Sequence, residues 1–182
     1  MAYRISAYDG LVGAQDVASI STVKLHELGT TVRIDDKDNA WAGRAVYVAF
    51  PANVAVPAGA LVTQVAATSS PTVGPYRMTV TVQATHKLLG VPVFVNLTAV
   101  TSVASVQYGW VLEEGVAPTL KDAIKAVGTD KVMLGAGAGR VKAVASAGMQ
   151  VLGARFAQSS VTTTTSLVAI YYNRAVTQSQ IT

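Results

Sequence analysis

Over much of the chain apolar and polar side chains alternate with a period of two, the signature of pleated strands whose successive residues point to opposite faces. The heaviest such stretch is 103–115, where Val106, Tyr108, Trp110 and Leu112 share one face and Gln107, Gly109, Val111 and Glu113 the other. Gly109 between two large aromatics marks a bulge, or a point where neighbouring backbone or a ring must lie close. Glu113, Glu114 and Gly115 read as the end of that strand.

Residues 1–20 mix Tyr3, Tyr8, Gly10 and Gly13 with small side chains and keep neither period, which reads as an arm or a loosely paired first strand. Residues 21–28 alternate Val23 and Leu25 against Lys24 and His26; after Gly29, residues 30–34 set Val32 and Ile34 against Thr31 and Arg33. Asp35, Asp36, Lys37, Asp38 and Asn39 form a turn by composition. Residues 41–50 are apolar on both faces, Val46, Val48 and Phe50 on one and Ala45, Tyr47 and Ala49 on the other, so both must be covered. Turn chemistry at 51–53 and 57–59 brackets 54–56, and the Ser/Pro/Gly-rich segment 69–75 is a long loop or internal boundary.

Residues 78–83 resume the alternation with Met78, Val80 and Val82 inward, and 91–97 repeats it with Pro92 at an edge or strand start. Residues 119–128 carry the single helical pattern, with Leu120, Ala123, Ile124 and Val127 in register, Thr119 as cap and Gly128 as stop; a strand is the competing reading. A glycine-rich turn at 134–140 joins strands at 131–134 and 140–144. Strands at 151–156 and 161–172 close the domain, with a threonine ladder at 162–165, and 173–182 reads as a polar tail.

Valine, threonine and isoleucine number 29, 19 and 6, and helical patterns are nearly missing. The expectation is an all-β fold: a single β-barrel or jelly-roll-like sandwich of short antiparallel strands over 21–172, an arm at 1–20, a tail at 173–182, and at most one short helix near 119–128. Charged residues make up only 13% of the chain, about half the usual ~25%. Much of the exterior is therefore expected to rest against other chains. No apolar run reaches the ~18 residues of a membrane span and the start carries no signal core, so a cytoplasmic origin and no membrane partner are expected. The net charge of +4 is spread over distant positions including Arg33, Arg44, Arg77, Lys87, Arg140, Lys142 and Arg155. No basic stripe appears along the chain, so direct nucleic-acid binding is not expected.

Candidate chemistry is sparse. The chain has no cysteine and two histidines, His26 and His86, which read as surface residues rather than part of a four-ligand zinc site. The Asp35–Asn39 acids lack the spacing of a calcium loop, and the glycine run at 134–140 lacks both nucleotide-loop endings. Asn96-Leu97-Thr98 matches a glycosylation triplet by chance. Glu113 and Glu114 point to opposite faces and do not form a cooperating carboxylate pair. No catalytic, cofactor-binding or metal-binding residue stands out, and no enzyme activity is expected. The aromatics Trp41, Tyr47, Tyr108, Trp110, Tyr171 and Tyr172 suit a core, a subunit interface or a sugar platform.

Two series of motifs complete the picture. Residues 28–35, then 43–50 from Gly43 through Tyr47 to Phe50, with Val62, give the first. Leu89-Gly90-Val91, Tyr108-Gly109-Trp110-Val111 with Gly115, Val132-Met133-Leu134, Ala138-Gly139-Arg140-Val141 and Val151-Leu152-Gly153-Ala154 give the second. In this order they resemble capsid decoration, or cement, proteins of tailed bacteriophages over residues 28–172. The resemblance implies an all-β barrel or jelly-roll that reinforces the outside of a capsid, with the major capsid protein as partner, a homo-oligomer, often a trimer, the virion as its place, and no catalytic residue. Tyr3, Tyr8, Trp41, Tyr47, Tyr108, Trp110, Tyr171 and Tyr172 are the expected contact residues. A carbohydrate- or receptor-binding tail or fibre module is the alternative.

Overall fold

A computed structural model of the chain describes residues 3–5, 15–36, 42–64, 76, 78–80, 91–122, 131–143, 149–157 and 166–178. Among the described residues eleven strands form one sheet: β1 (Tyr3–Ile5), β2 (Thr31–Asp36), β3 (Ala42–Phe50), β4 (Leu61–Gln64), β5 (Met78–Val80), β6 (Val93–Asn96), β7 (Gln107–Lys121), β8 (Lys131–Leu134), β9 (Val141–Lys142), β10 (Gln150–Phe156) and β11 (Ser166–Thr177). Its main path runs β1-β2-β3-β7-β11-β10-β8-β9. The fold is all-β, and among the described residues every pairing is antiparallel except one parallel contact, Lys121 with Val141, between β7 and β9.

That contact closes a circuit of pairings, β7-β11-β10-β8-β9, around the inward side chains of Ala117, Val132, Leu134, Val141, Ile170 and Tyr172. A second branch leaves β7 through β6 to β4 and β5. It returns towards β3, where the Ala49 amide donates to the Tyr76 carbonyl at 3.0 Å. Val46, Val48, Phe50, Val62, Met78, Phe94 and Val111 fill it. Two buried clusters therefore flank β3 and β7, which is why β3 is apolar on both faces and buried from Ala45 to Phe50. β6 is buried along its whole length for the same reason, so the half-buried alternation expected at 91–97 becomes a two-sided core strand.

β7 is the trunk of the molecule. Its first half pairs with β3 and its second half with β11, while β6 joins at Leu112 and Val111. The strand does not stop at Gly115. There the backbone adopts φ +119°, and the β3–β7 register shifts at Arg44/Ala45, so Glu113 and Glu114 form a bulge that re-aims the chain onto β11. A Cβ on Gly115 would lie 2.8 Å from the Gly43 Cα, and one on Gly43 2.5 Å from the Glu114 carbonyl oxygen. The two glycines let β3 and β7 pass in close contact.

Residues 119–121 belong to β7, paired with β11, so of the two readings of 119–128 the strand holds there, while 123–128 lie outside the described residues. Three further expectations are corrected. Residues 15–20 are not an arm, since Val17 is 1% exposed in the core. Residues 21–28 form an irregular loop tied to β7 by the Ser21–Tyr108 bridge, with Val23 and Leu25 exposed. Residues 173–177 are not a tail: they extend β11 along β10, and Ala175 and Thr177 are buried. The glycine turn falls as expected between β8 and β9, where Arg140 N–H donates to Gly137 O and Gly135 N–H to Arg140 O. The expected long loop at 69–75 and the threonine ladder at 162–165 lie outside the described residues.

Candidate functional site

The aromatic strands converge on one buried polar residue. The Gln15 amide N–H donates to His26 Nε2 at 3.1 Å, and the Gln15 carbonyl accepts from Trp110 Nε1 at 2.9 Å. Its side-chain oxygen accepts from Tyr47 Oη at 2.9 Å, and its Nε2 donates to the carbonyls of Ser19 and Tyr108. Around it, Tyr47 lies edge-on to Trp110 and to His26, each at 5.0 Å between centroids, and stacks against Tyr108 at 6.4 Å. His26 is thus a half-buried packing residue rather than a surface one, and His86 lies outside the described residues. Burial pushes the Tyr47 hydroxyl above its usual range, opposed by the Leu25 amide that donates to it.

The expected contact aromatics separate accordingly. Tyr47, Trp110 and Tyr172 are at most 1% exposed inside the chain's own core, so none can meet a second molecule in this fold. Their size and their partnered polar ends suit an interior, as for Tyr172 Oη beside Thr119 Oγ1 at 2.8 Å. Burial raises the Tyr172 hydroxyl, and burial followed by the Asp36 carboxylate raises that of Tyr3, which donates to the Val116 carbonyl. Tyr3, Tyr108 and Tyr171 are half-buried, and Tyr8 and Trp41 lie outside the described residues.

The accessible chemistry lies elsewhere, on the outward face of the main sheet. Side chains directly opposite one another on paired strands share a face. The register pairs Arg33 with Arg44, Arg44 with Glu114, Tyr171 with Arg155, and Arg155 with Lys131. Strand parity sets Arg33, Arg44 and Tyr171 opposite the inward Val32, Ala45 and Ile170, while the bulge in β7 turns Glu114 out, since parity alone would place it with the inward Leu112. They line and flank an open cleft of about 540 Å³ bounded by Thr31, Arg33, Gly43, Arg44, Glu114 and Tyr171. Arg44 Nε faces Glu113 Oε2 at 3.1 Å, and the Arg155 guanidinium lies 4.9 Å from the Tyr171 ring centre. Glu113 is therefore an ion-pair partner at the bulge and not a solvated strand end.

Among the described residues that face holds no carboxylate cluster. Asp35 and Asp36 continue β2, with Asp36 buried, and residues 37–39 lie outside the described residues. Among the described residues no three His, Asp or Glu side chains gather to hold a metal ion. Asn96 of the glycosylation triplet is 1% exposed and directs its amide at the Val56, Pro57 and Thr98 carbonyls, so its role is to lock the 56–57 turn. The cleft escaped sequence reasoning because Arg33, Arg44, Glu114 and Tyr171 are far apart along the chain. Only the cross-strand register and the bulge in β7 bring them together. The chain matches no protein-family profile, no curated protein and no solved structure.

Proposed function

We propose that the chain is a virion structural protein that binds the outer surface of a tailed-bacteriophage capsid and stabilises the shell by non-covalent bridging between capsomers, acting as a homo-oligomer. The observation that carries this reading is the ordered motif series. Gly43 to Phe50, Tyr108 to Val111, Val132 to Leu134 and Val151 to Ala154 fall on β3, β7, β8 and β10, the framework of one sheet. Low charge and an outward cleft of mixed polarity support a body that works through contact area.

Contacts of ~1,600 Å², repeated around a shell, oppose local release of capsomers without any covalent step. The reading requires no catalytic group and no cofactor. Sugar recognition by an aromatic platform draws less support, because Tyr47, Trp110 and Tyr172 are interior and Arg155 lies over the Tyr171 ring. Co-sedimentation of purified protein with expanded, undecorated phage heads tests the proposal. Saturable binding at a fixed ratio to the major capsid protein is expected; protein that stays in the supernatant at every concentration contradicts it.

A further inference from the structure

Charge is distributed unevenly along the chain. Residues 45–112 hold two charged side chains, Arg77 and Lys87, and the other 114 positions hold twenty-two. Among the described residues of that stretch none is charged. They build β4, β5 and β6, most of β3 and the start of β7, together with the connections at 51–60 and 97–106. The fold therefore gathers uncharged residues into one part of the molecule, around the cluster of Val46, Phe50, Val62, Phe94 and Val111. The two connections form one fixed surface beyond the Phe50–Gln107 pair of β3 and β7. The Asn53 N–H donates to the Val103 carbonyl at 2.7 Å, and Val56 and Val100 exchange backbone hydrogen bonds at 2.8 and 3.0 Å. Val56 and Val100 are buried, while Ala55, Pro57, Ala58 and residues 101–105 are exposed. Leu167, 54% exposed, extends this surface beside Gly59, where an added Cβ would lie 2.8 Å from the leucine tip.

Covering such a surface costs little. Its side chains are short or β-branched with little rotamer freedom to lose, its backbone is already bonded in place, and no charge is desolvated. An acidic or basic partner finds no counter-charge there, and a nucleic acid finds no cation. A bilayer finds no exposed aromatic anchor among the described residues. A second copy presents an equally uncharged surface, and meeting there keeps the charges of two +4 chains away from the contact. We infer that the surface made by 51–60 and 97–106 is the self-association interface, with Ala55, Val103 and Leu167 at the contact between two copies. Arg44 lies towards the opposite end of β3 from Phe50, so the cleft beside it stays uncovered. The inference deepens the proposed function and rests on its homo-oligomer, for which it names the contact surface.

The test is sedimentation equilibrium of the full chain from about 1 to 100 µM. Reversible self-association is expected, unchanged or stronger as salt rises from about 0.05 to 0.5 M, since no ion pair joins the copies. Ala55→Glu and Val103→Glu, both at exposed positions, each place an unpaired charge in the contact and are expected to weaken association at least about tenfold. Lys131→Glu, exposed on β8, is expected to change it by less than about twofold. Circular dichroism of each variant establishes that the fold is retained. Four results overturn the inference: a monomer at every concentration, dissociation by salt, association untouched by both Ala55→Glu and Val103→Glu, or an equal loss with Lys131→Glu. Co-sedimentation with undecorated heads separates this interface from shell binding. A monomer that saturates the heads overturns the interface and leaves shell binding in place, and an oligomer that ignores the heads does the reverse.

Discussion

Gln15 illustrates how single residues set this structure. It lies in an N-terminal segment without periodicity, yet its backbone and side chain meet His26, Trp110, Tyr47, Ser19 and Tyr108. A buried amide of this kind is stabilising only while every group is partnered, and removing it leaves the buried Tyr47 O–H without its acceptor, though the oxygen still accepts from the Leu25 amide. Gln15→Ala is expected to cost about 2–3 kcal/mol in urea denaturation, against under about 0.5 kcal/mol for exposed Val23→Ala. The buried tyrosines give a second expectation. Tyr3, Tyr47 and Tyr172 all have hydroxyls raised in the folded state. An unfolded tyrosine ionises near pH ~10, so their contribution is complete below that pH. Above it the unfolded chain releases protons first, and stability falls as pH rises towards the folded values. Urea midpoints should be level below about pH 9.5 and fall above it, with a shallower fall in Tyr172→Phe; an identical fall in that variant would contradict the assignment. None of the residues around Gln15 announces its role in sequence, because hydrogen-bond partners up to 95 positions apart leave no local pattern.

At the scale of elements, period-two alternation was a sound guide wherever one strand had one fate. Val32 and Ile34 face inward on β2, both faces of β3 are covered, and the 131–142 hairpin turns on its glycines. The guide failed where a strand changes partner. Glu113-Glu114-Gly115 has the composition of a stop, but in the fold it is a bulge through which β7 passes from β3 to β11. Residues 173–177 look polar because one face of β11 is exposed there, while Ala175 and Thr177 are buried on the other. The cleft was illegible for a related reason: cross-strand register, not sequence distance, decides which charges meet. Gly115→Ala should cost about 2–4 kcal/mol, since a Cβ there adds strain at φ +119° to a 2.8 Å clash with Gly43. Thermal unfolding checks this, and a loss below about 1 kcal/mol would mean that the two strands can separate at the bulge without breaking the sheet. Truncation after Tyr172 should abolish cooperative unfolding, because it removes the β11 residues that pair with Val151 and Leu152.

For the whole molecule, β7 joins two buried clusters on opposite sides of the sheet, and most of the large aromatics are used to fill them. What remains outward is a polar, partly aromatic cleft running from β2 to β11, lined by Arg33, Arg44, Glu114 and Tyr171. The proposed work of the protein, bracing a capsid from outside, then depends on polar contacts across that face rather than on exposed rings. Such contacts between surface charges weaken as ionic strength rises. Shell binding should therefore fall when salt is raised from about 0.05 to 0.5 M and fall further with Arg33→Glu, while Trp110 fluorescence, whose ring is interior, stays unchanged on binding. Cryo-electron microscopy of undecorated phage heads mixed with the purified chain tests the central claim most directly. The account predicts an all-β body on the outer surface, with Arg33, Arg44 and Tyr171 turned towards the shell. Density for the chain inside the shell or only in the tail, or with that face turned to solvent and touching nothing, would contradict it.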